Sequence, residues 1–175
     1  YSALFYSYLR YSYMRSIGQQ LIILAAILMA LVGCEDTTYR SSVPTYPVRL
    51  SINTQLGQFV HFVPEATYDY ITVDRSGYHY HDYTQALSAT DMIGYAGVVV
   101  YIGGDNQYNA FDMCCPHCLN PNKPVEIEGF FGVCPICGEK YDLSYGLAVP
   151  TQGISKEALR RYPIINSNGK LTISQ

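Results

Sequence analysis

Two short cysteine clusters constrain this chain more than any other feature. Five of its six cysteines lie between Ala110 and Gly146, in the stretch AFDMCCPHCLNPNKPVEIEGFFGVCPICGEKYDLSYG. They form one group of Cys114, Cys115 and Cys118 with His117 among them, and a second of Cys134 and Cys137. Ligands one or two residues apart come from one tight loop, and the sixteen residues between His117 and Cys134 suffice for a hairpin that lays a second loop alongside. Such a double cluster is a clamp for a metal or a metal-containing cofactor, and the surrounding fold must bring the two loops together.

The rest of the chain reads as β-structure. Val48–Asn53 alternates apolar with polar residues, Phe59–Val63 is a β-branched and aromatic run closed by Pro64, and Tyr70–Val73 precedes a turn at Asp74 to Gly77. Gly97 to Ile102 is a short apolar run expected to be a buried strand; Gly103 to Asn106 reads as a hairpin turn, and Tyr108 to Met113 as the return strand into the first cluster. Further strands are expected at Leu159–Ile165 and Lys170–Ile173, joined through Asn166 to Gly169, with one short helix at Ser155–Arg161 capped by Ser155. The 18 Tyr against 6 Phe and no Trp suit half-buried strands, whose rings are apolar and hydroxyls wet. These features predict one mostly antiparallel β domain over residues 48–175.

Other chemistries find little support. A net charge of -3 with 14% charged residues leaves no basic face, so no nucleic acid partner is expected. His79 and His81 stand two apart and would share one face of a strand, but an ordinary strand or loop is the simpler reading, and His61 reads as a satisfied core histidine. Asp69, Asp74, Asp82 and Asp91 are scattered singly, and no nucleophile elbow, phosphate loop or dinucleotide fingerprint is present. An enzyme acting alone is therefore not expected.

Met14 opens a segment with Arg15, the apolar core Leu21 to Val32 and the closing Leu31-Val32-Gly33-Cys34. Twelve apolar residues are too few to span a bilayer and suit the central region of a signal peptide. The closing tetrapeptide resembles the lipobox of bacterial lipoproteins, which implies cleavage before Cys34, acylation of Cys34, and a membrane-anchored protein facing the periplasm or cell surface. The chain then divides into upstream residues and signal at 1–33, a lipidated N-terminus and polar tether at 34–47, and the globular domain at 48–175.

Around the clusters a second resemblance emerges. Cys115-Pro116-His117, then Cys134-Pro135-Ile136-Cys137, followed by Gly138, Tyr141-Asp142 and Gly146, resembles the Rieske signature of C-x-H and C-x-x-H boxes. Ala110-Phe111-Asp112 before the first box, and Gly153, Leu159, Tyr162 and Pro163 after the second, extend the similarity. It is close over Gly97 to Ile165 and looser over Val48 to Ser174. The resemblance implies an all-β, Rieske-like antiparallel β-sandwich carrying a small two-loop cluster-binding subdomain, and a 2Fe-2S cluster that relays single electrons to a redox protein partner. Carried over by position, Cys115 and Cys134 would hold the inner iron, His117 with Cys137 the outer one, and Tyr141 would hydrogen-bond a ligand sulfur.

The sequence departs from that family where it matters. Cys137 replaces the second histidine, and its added negative charge would pull the potential from the Rieske range of about -150 to +300 mV toward the roughly -400 mV of all-cysteine centres. Ile136 and Asn120 stand where some members have a bracing disulfide, Ile154 replaces a loop proline, and Glu139 stands where some keep a serine. Two rival readings use nearly the same residues. Cys115-x-x-Cys118 with Cys134-x-x-Cys137 has zinc-ribbon spacing, with Cys118 as alternative ligand, and an exported protein can instead pair its cysteines as disulfides. A lone Arg15 before the apolar run lacks the twin arginine of folded export, and an unfolded chain would cross without a cluster. Two functions stay open: an anchored 2Fe-2S electron carrier, or an anchored structural or binding protein whose Rieske-like site holds zinc or disulfides.

Overall fold

A computed structural model of the protein describes residues 41–175. The signal-like segment, Cys34 and the first part of the expected tether lie outside the described residues. In chain order the strands are β1 (Val48–Asn53), β2 (Tyr70–Asp74), β3 (Gly77–Tyr80), β4 (Tyr83–Gln85), β5 (Met92–Ile93), β6 (Val98–Ile102) and β7 (Tyr108–Asp112). They continue as β8 (Glu126–Glu128), β9 (Phe131–Val133), β10 (Lys140–Asp142), β11 (Val149–Gln152), β12 (Arg161–Tyr162), β13 (Ile164–Ser167) and β14 (Lys170–Ser174). They build three antiparallel sheets, ordered β13-β14-β1-β5, β12-β7-β6-β2-β3-β4 and β11-β10-β9-β8.

The patterning explains the layering. Along β1 exposure alternates strictly, Val48, Leu50 and Ile52 facing in, as expected of a sheet with one wet face. On β6, VVVYI, every residue is buried because both faces are covered. Val98, Val100 and Ile102 join β1, β14, β2 and β3 in one apolar core. Val99 and Tyr101 turn to a second core with Phe111, Cys115, Val125, Cys134, Tyr141 and Leu159. The β6–β7 hairpin is thus a shared wall between the sandwich and the small sheet that carries the cysteine loops.

Three local expectations are corrected. Phe59–Val63 is not a strand: Gly57–His61 is a 3-10 turn with Phe59 and Phe62 buried and Val60 and His61 exposed. A buried spacing of three is what eclipsed side chains of a 3-10 turn present, and it leaves His61 in water instead of in the core. Ser155–Arg161 forms no helix, because its backbone donors are engaged elsewhere: Ile154 and Ser155 N–H on Glu139, and Leu159 N–H on Ala148 O. The expected strand Leu159–Ile165 is broken at Pro163 into β12 and β13.

Residues 41–47 do not hang free. Val43 is buried in the second core, Ser42 N–H donates to Glu157 Oε2 at 2.8 Å, and Arg160 donates to the Val43 carbonyl. The Tyr46 and Tyr95 rings lie 5.3 Å apart. The compact unit accordingly includes this strap, ahead of the expected start at Val48. Among the described residues no helix is long and apolar enough to cross a membrane.

Candidate metal centre

The two cysteine clusters fold into matching turns of sequence Cys-Pro-x-Cys-x, one after β7 and one between β9 and β10. In each the fifth N–H donates to the first carbonyl, Leu119 to Cys115 and Gly138 to Cys134, both at 2.9 Å. The fifth residue is left-handed in both, with φ of +50° at Leu119 and +72° at Gly138. Backbone bonds fasten the turns to the sheet: Val125 N–H reaches Met113 O at 2.8 Å, and Cys134 N–H reaches Glu139 O at 2.9 Å.

This geometry gathers the first and fourth side chains of each turn. The sulfurs of Cys115, Cys118, Cys134 and Cys137 all lie within 4.8 Å of one another. Contacts run across the loops, Cys115 to Cys137 at 3.8 Å and Cys134 to Cys118 at 3.7 Å. A tetrahedron with metal–sulfur bonds of about 2.3 Å has edges of about 3.8 Å, so the spacing matches four thiolates on one ion. A two-iron cluster needs its ligand pairs held further apart, by the metal–metal separation.

Of the expected ligands, Cys115, Cys134 and Cys137 come together, and Cys118, the alternative, completes the group. His117, assigned to the outer iron by resemblance, is exposed and is not in the group. It holds the third position of its turn, as Ile136 does in the other, and both side chains face solvent. The group gathered here is thus four cysteines, and the mixed cysteine and histidine set of a Rieske cluster would draw on His117 beyond it. Tyr141 is placed as expected, wholly buried with its hydroxyl 3.2 Å from Cys115 Sγ. Burial and then that bond raise its pKa, so it stays protonated and donates. Cys114 is buried outside the group, and burial pushes its thiol up to about 12. All five described cysteines are free.

Four thiols this close cannot all ionise without a cation to neutralise them. Burial, together with bonds to Cys137 and Cys134, raises Cys118, and burial raises Cys137. At Cys134 burial also raises, but the N–H groups of Cys137 and Ile136 outweigh it and hold the thiol below its ordinary value. Among the described residues no other group of three or more His, Cys, Asp or Glu side chains could share an ion. His79 Nε2 lies 3.1 Å from Asp74, while His81, at a positive φ beyond the end of β3, lies 3.3 Å from Asp69.

Two buried carboxylates that sequence reasoning gave no role support the loops. Asp112, at the end of β7, accepts from Cys114 N–H at 2.8 Å, Tyr95 N–H at 2.9 Å, Ala96 N–H at 3.3 Å and Tyr162 Oη at 2.6 Å. Glu139 takes the N–H groups of Ile154 and Ser155 on Oε2, both at 2.9 Å, while its Oε1 has no partner. It closes a third loop over the site, and a Cβ at Gly153 would fall 2.2 Å from that carboxylate. The signal for both lay in their positions, one just before the first turn and one just after the second.

No family model matches the chain, and no curated protein matches it. Solved structures do. One is a complex of reduced oxygenase and oxidized ferredoxin in carbazole 1,9a-dioxygenase, at 14% identity and a TM-score of 0.43, covering 73% of this chain and 93% of that one. Another is the Sphingomonas yanoikuyae B1 ferredoxin, at 16% identity and a TM-score of 0.38, covering 65% of this chain and 93% of that one. At this distance the nature of the centre rests on its own four sulfurs.

Proposed function

We propose that this chain is a membrane-anchored Rieske-like domain of the cell envelope, acylated at Cys34, in which Cys115, Cys118, Cys134 and Cys137 hold one tetrahedral metal ion. The observation that carries this reading is the mutual approach of the four sulfurs within 4.8 Å, with cross-loop spacings of 3.7 and 3.8 Å. Zinc suits an all-thiolate tetrahedron without further requirement, and a single ion can be taken up after export of an unfolded chain. On this reading the ion fastens the two turns and the third loop into one rigid end, which serves as a binding surface.

A second reading is favoured by the hydrogen bonds on sulfur. Tyr141 Oη on Cys115, and the N–H groups aimed at Cys134, would stabilise the more negative state of a redox-active iron. The domain would then relay single electrons to a protein partner. Elemental analysis with absorption spectroscopy separates the two: a colourless protein with one zinc supports the first, and a ferric–sulfur chromophore supports the second. Ligand identity is tested alongside. His117→Ala should retain the metal and Cys118→Ser should lose it, whereas the reverse would restore the mixed set implied by the Rieske resemblance.

A further inference from the structure

The three loops around the sulfurs each present an aliphatic side chain to solvent. Leu119 is 39% exposed, Ile136 51% and Ile154 72%, and Cys137 is exposed among them. Their positions are fixed by the bonds that build the site: Leu119 and Gly138 close the two turns, and Glu139 holds Ile154 and Ser155. These are rigid protrusions, so their exposure is a property of the folded state.

Charge around the tips is sparse: residues 116–120, 135–138 and 153–156 carry one lysine, Lys156, and Glu139 and Glu157 follow directly on the last two segments. Exposed aliphatic tips suit the interfacial layer of a bilayer.

The strap enters the domain at this same end. Ser42 is tied to Glu157, two residues from Ser155, and Tyr95, whose ring packs tilted against Tyr46, donates through its hydroxyl to Leu119 O. Cys34 lies eight residues before Ser42, a length that a fully extended chain covers in at most about 29 Å. Lipid on Cys34 would therefore keep the Ile154 loop within short reach of the bilayer. Three aliphatic tips bind a membrane weakly when free, but a tether of this length raises their effective concentration at the surface.

We propose that the cysteine-loop end docks on the lipid bilayer that holds the anchor, with Leu119, Ile136 and Ile154 entering its interfacial layer. The proposal rests on the acylation of Cys34 given above. Docking would turn the metal centre to the membrane and leave the sandwich facing outward.

The chain has no Trp, so a single introduced one reports its own surroundings. The full chain, expressed with its signal, is reconstituted into phosphatidylcholine–phosphatidylglycerol vesicles as the Ile154→Trp, Ile136→Trp and Val60→Trp proteins. Val60 is the control, 43% exposed on the 3-10 turn. Emission at 154 and 136 is expected to shift to the blue and to be quenched several-fold more by acyl-brominated lipid than emission at 60. Intact mass reports acylation separately: an unacylated protein overturns both the anchor and the docking. An acylated protein with equal quenching at 154 and 60 overturns docking alone and leaves this end to a protein partner.

Discussion

Asp112, at the end of β7, gathers Cys114 beside the first cysteine turn, Tyr95, Ala96 and Tyr162 through four hydrogen bonds on a wholly buried carboxylate. Burial raises its pKa, and the four donors only partly offset that. An amide cannot replace it, since one of its two ends would present N–H to donors. Asp112→Asn is therefore expected to cost about 2–4 kcal/mol, by leaving buried donors unpaired. Tyr162→Phe, which removes one bond to a charged acceptor, should cost about 1.5–3 kcal/mol. Urea unfolding followed by far-UV circular dichroism measures both, and a neutral Asp112→Asn would mean that the carboxyl is already protonated in the folded protein. Asp112 and Tyr162 were each visible in the sequence, one in the segment leading into the first cluster and one beyond the second. Their pairing across fifty residues was not, because a long-range pair leaves no local pattern.

At the scale of elements, the two turns are near copies that meet one conformational demand with different residues. Both need a left-handed fifth residue, and one has glycine while the other has leucine. A Cβ on Gly138 would meet nothing within 4 Å, so Gly138→Ala tests conformation alone and should cost about 1–2 kcal/mol. Leu119→Gly relieves the same strain and should gain about 0.5–1 kcal/mol, less than the full relief because glycine adds freedom to the unfolded chain. Thermal unfolding of the metal-loaded proteins gives the two signs, and equal signs would show that the turns are not equivalent. Periodicity and turn chemistry made the regular elements readable: alternation on β1, the buried run on β6, and the turns at Asp74 to Gly77, Gly103 to Asn106 and Asn166 to Gly169. It failed where tertiary partners took the backbone. Glu139 and Ala148 hold the donors of the expected helix, and Phe59 with Phe62 turned an apparent strand into a 3-10 turn. The choice between His117 and Cys118 was open because one tight turn offers both, and the folded turn brings Cys118 into the group of sulfurs.

For the molecule as a whole, two cores back onto one hairpin. The sandwich core is assembled from β1, β14, β2, β3 and alternate residues of β6, and contains no cysteine. The second core includes Cys114, Cys115 and Cys134 among its buried members, and its small sheet is built of strands of three or four residues. Structural zinc in small domains supplies about 10–16 kcal/mol of apparent binding free energy, and in such a subdomain binding and folding are one process. On the zinc reading, removing the ion with a strong chelator should therefore melt the cysteine loops and β8–β11 while β1, β14, β2 and β3 persist. Hydrogen exchange read by mass spectrometry is expected to show lost protection across residues 113–152 and retained protection at 48–53 and 170–174. Val99, Tyr101 and Phe111 would lose their cover, so an apolar dye should bind the stripped protein and be released when metal is restored. Uniform loss of protection would instead mean that the β6–β7 wall couples both cores into one cooperative unit, and metal loss would then unfold the sandwich as well.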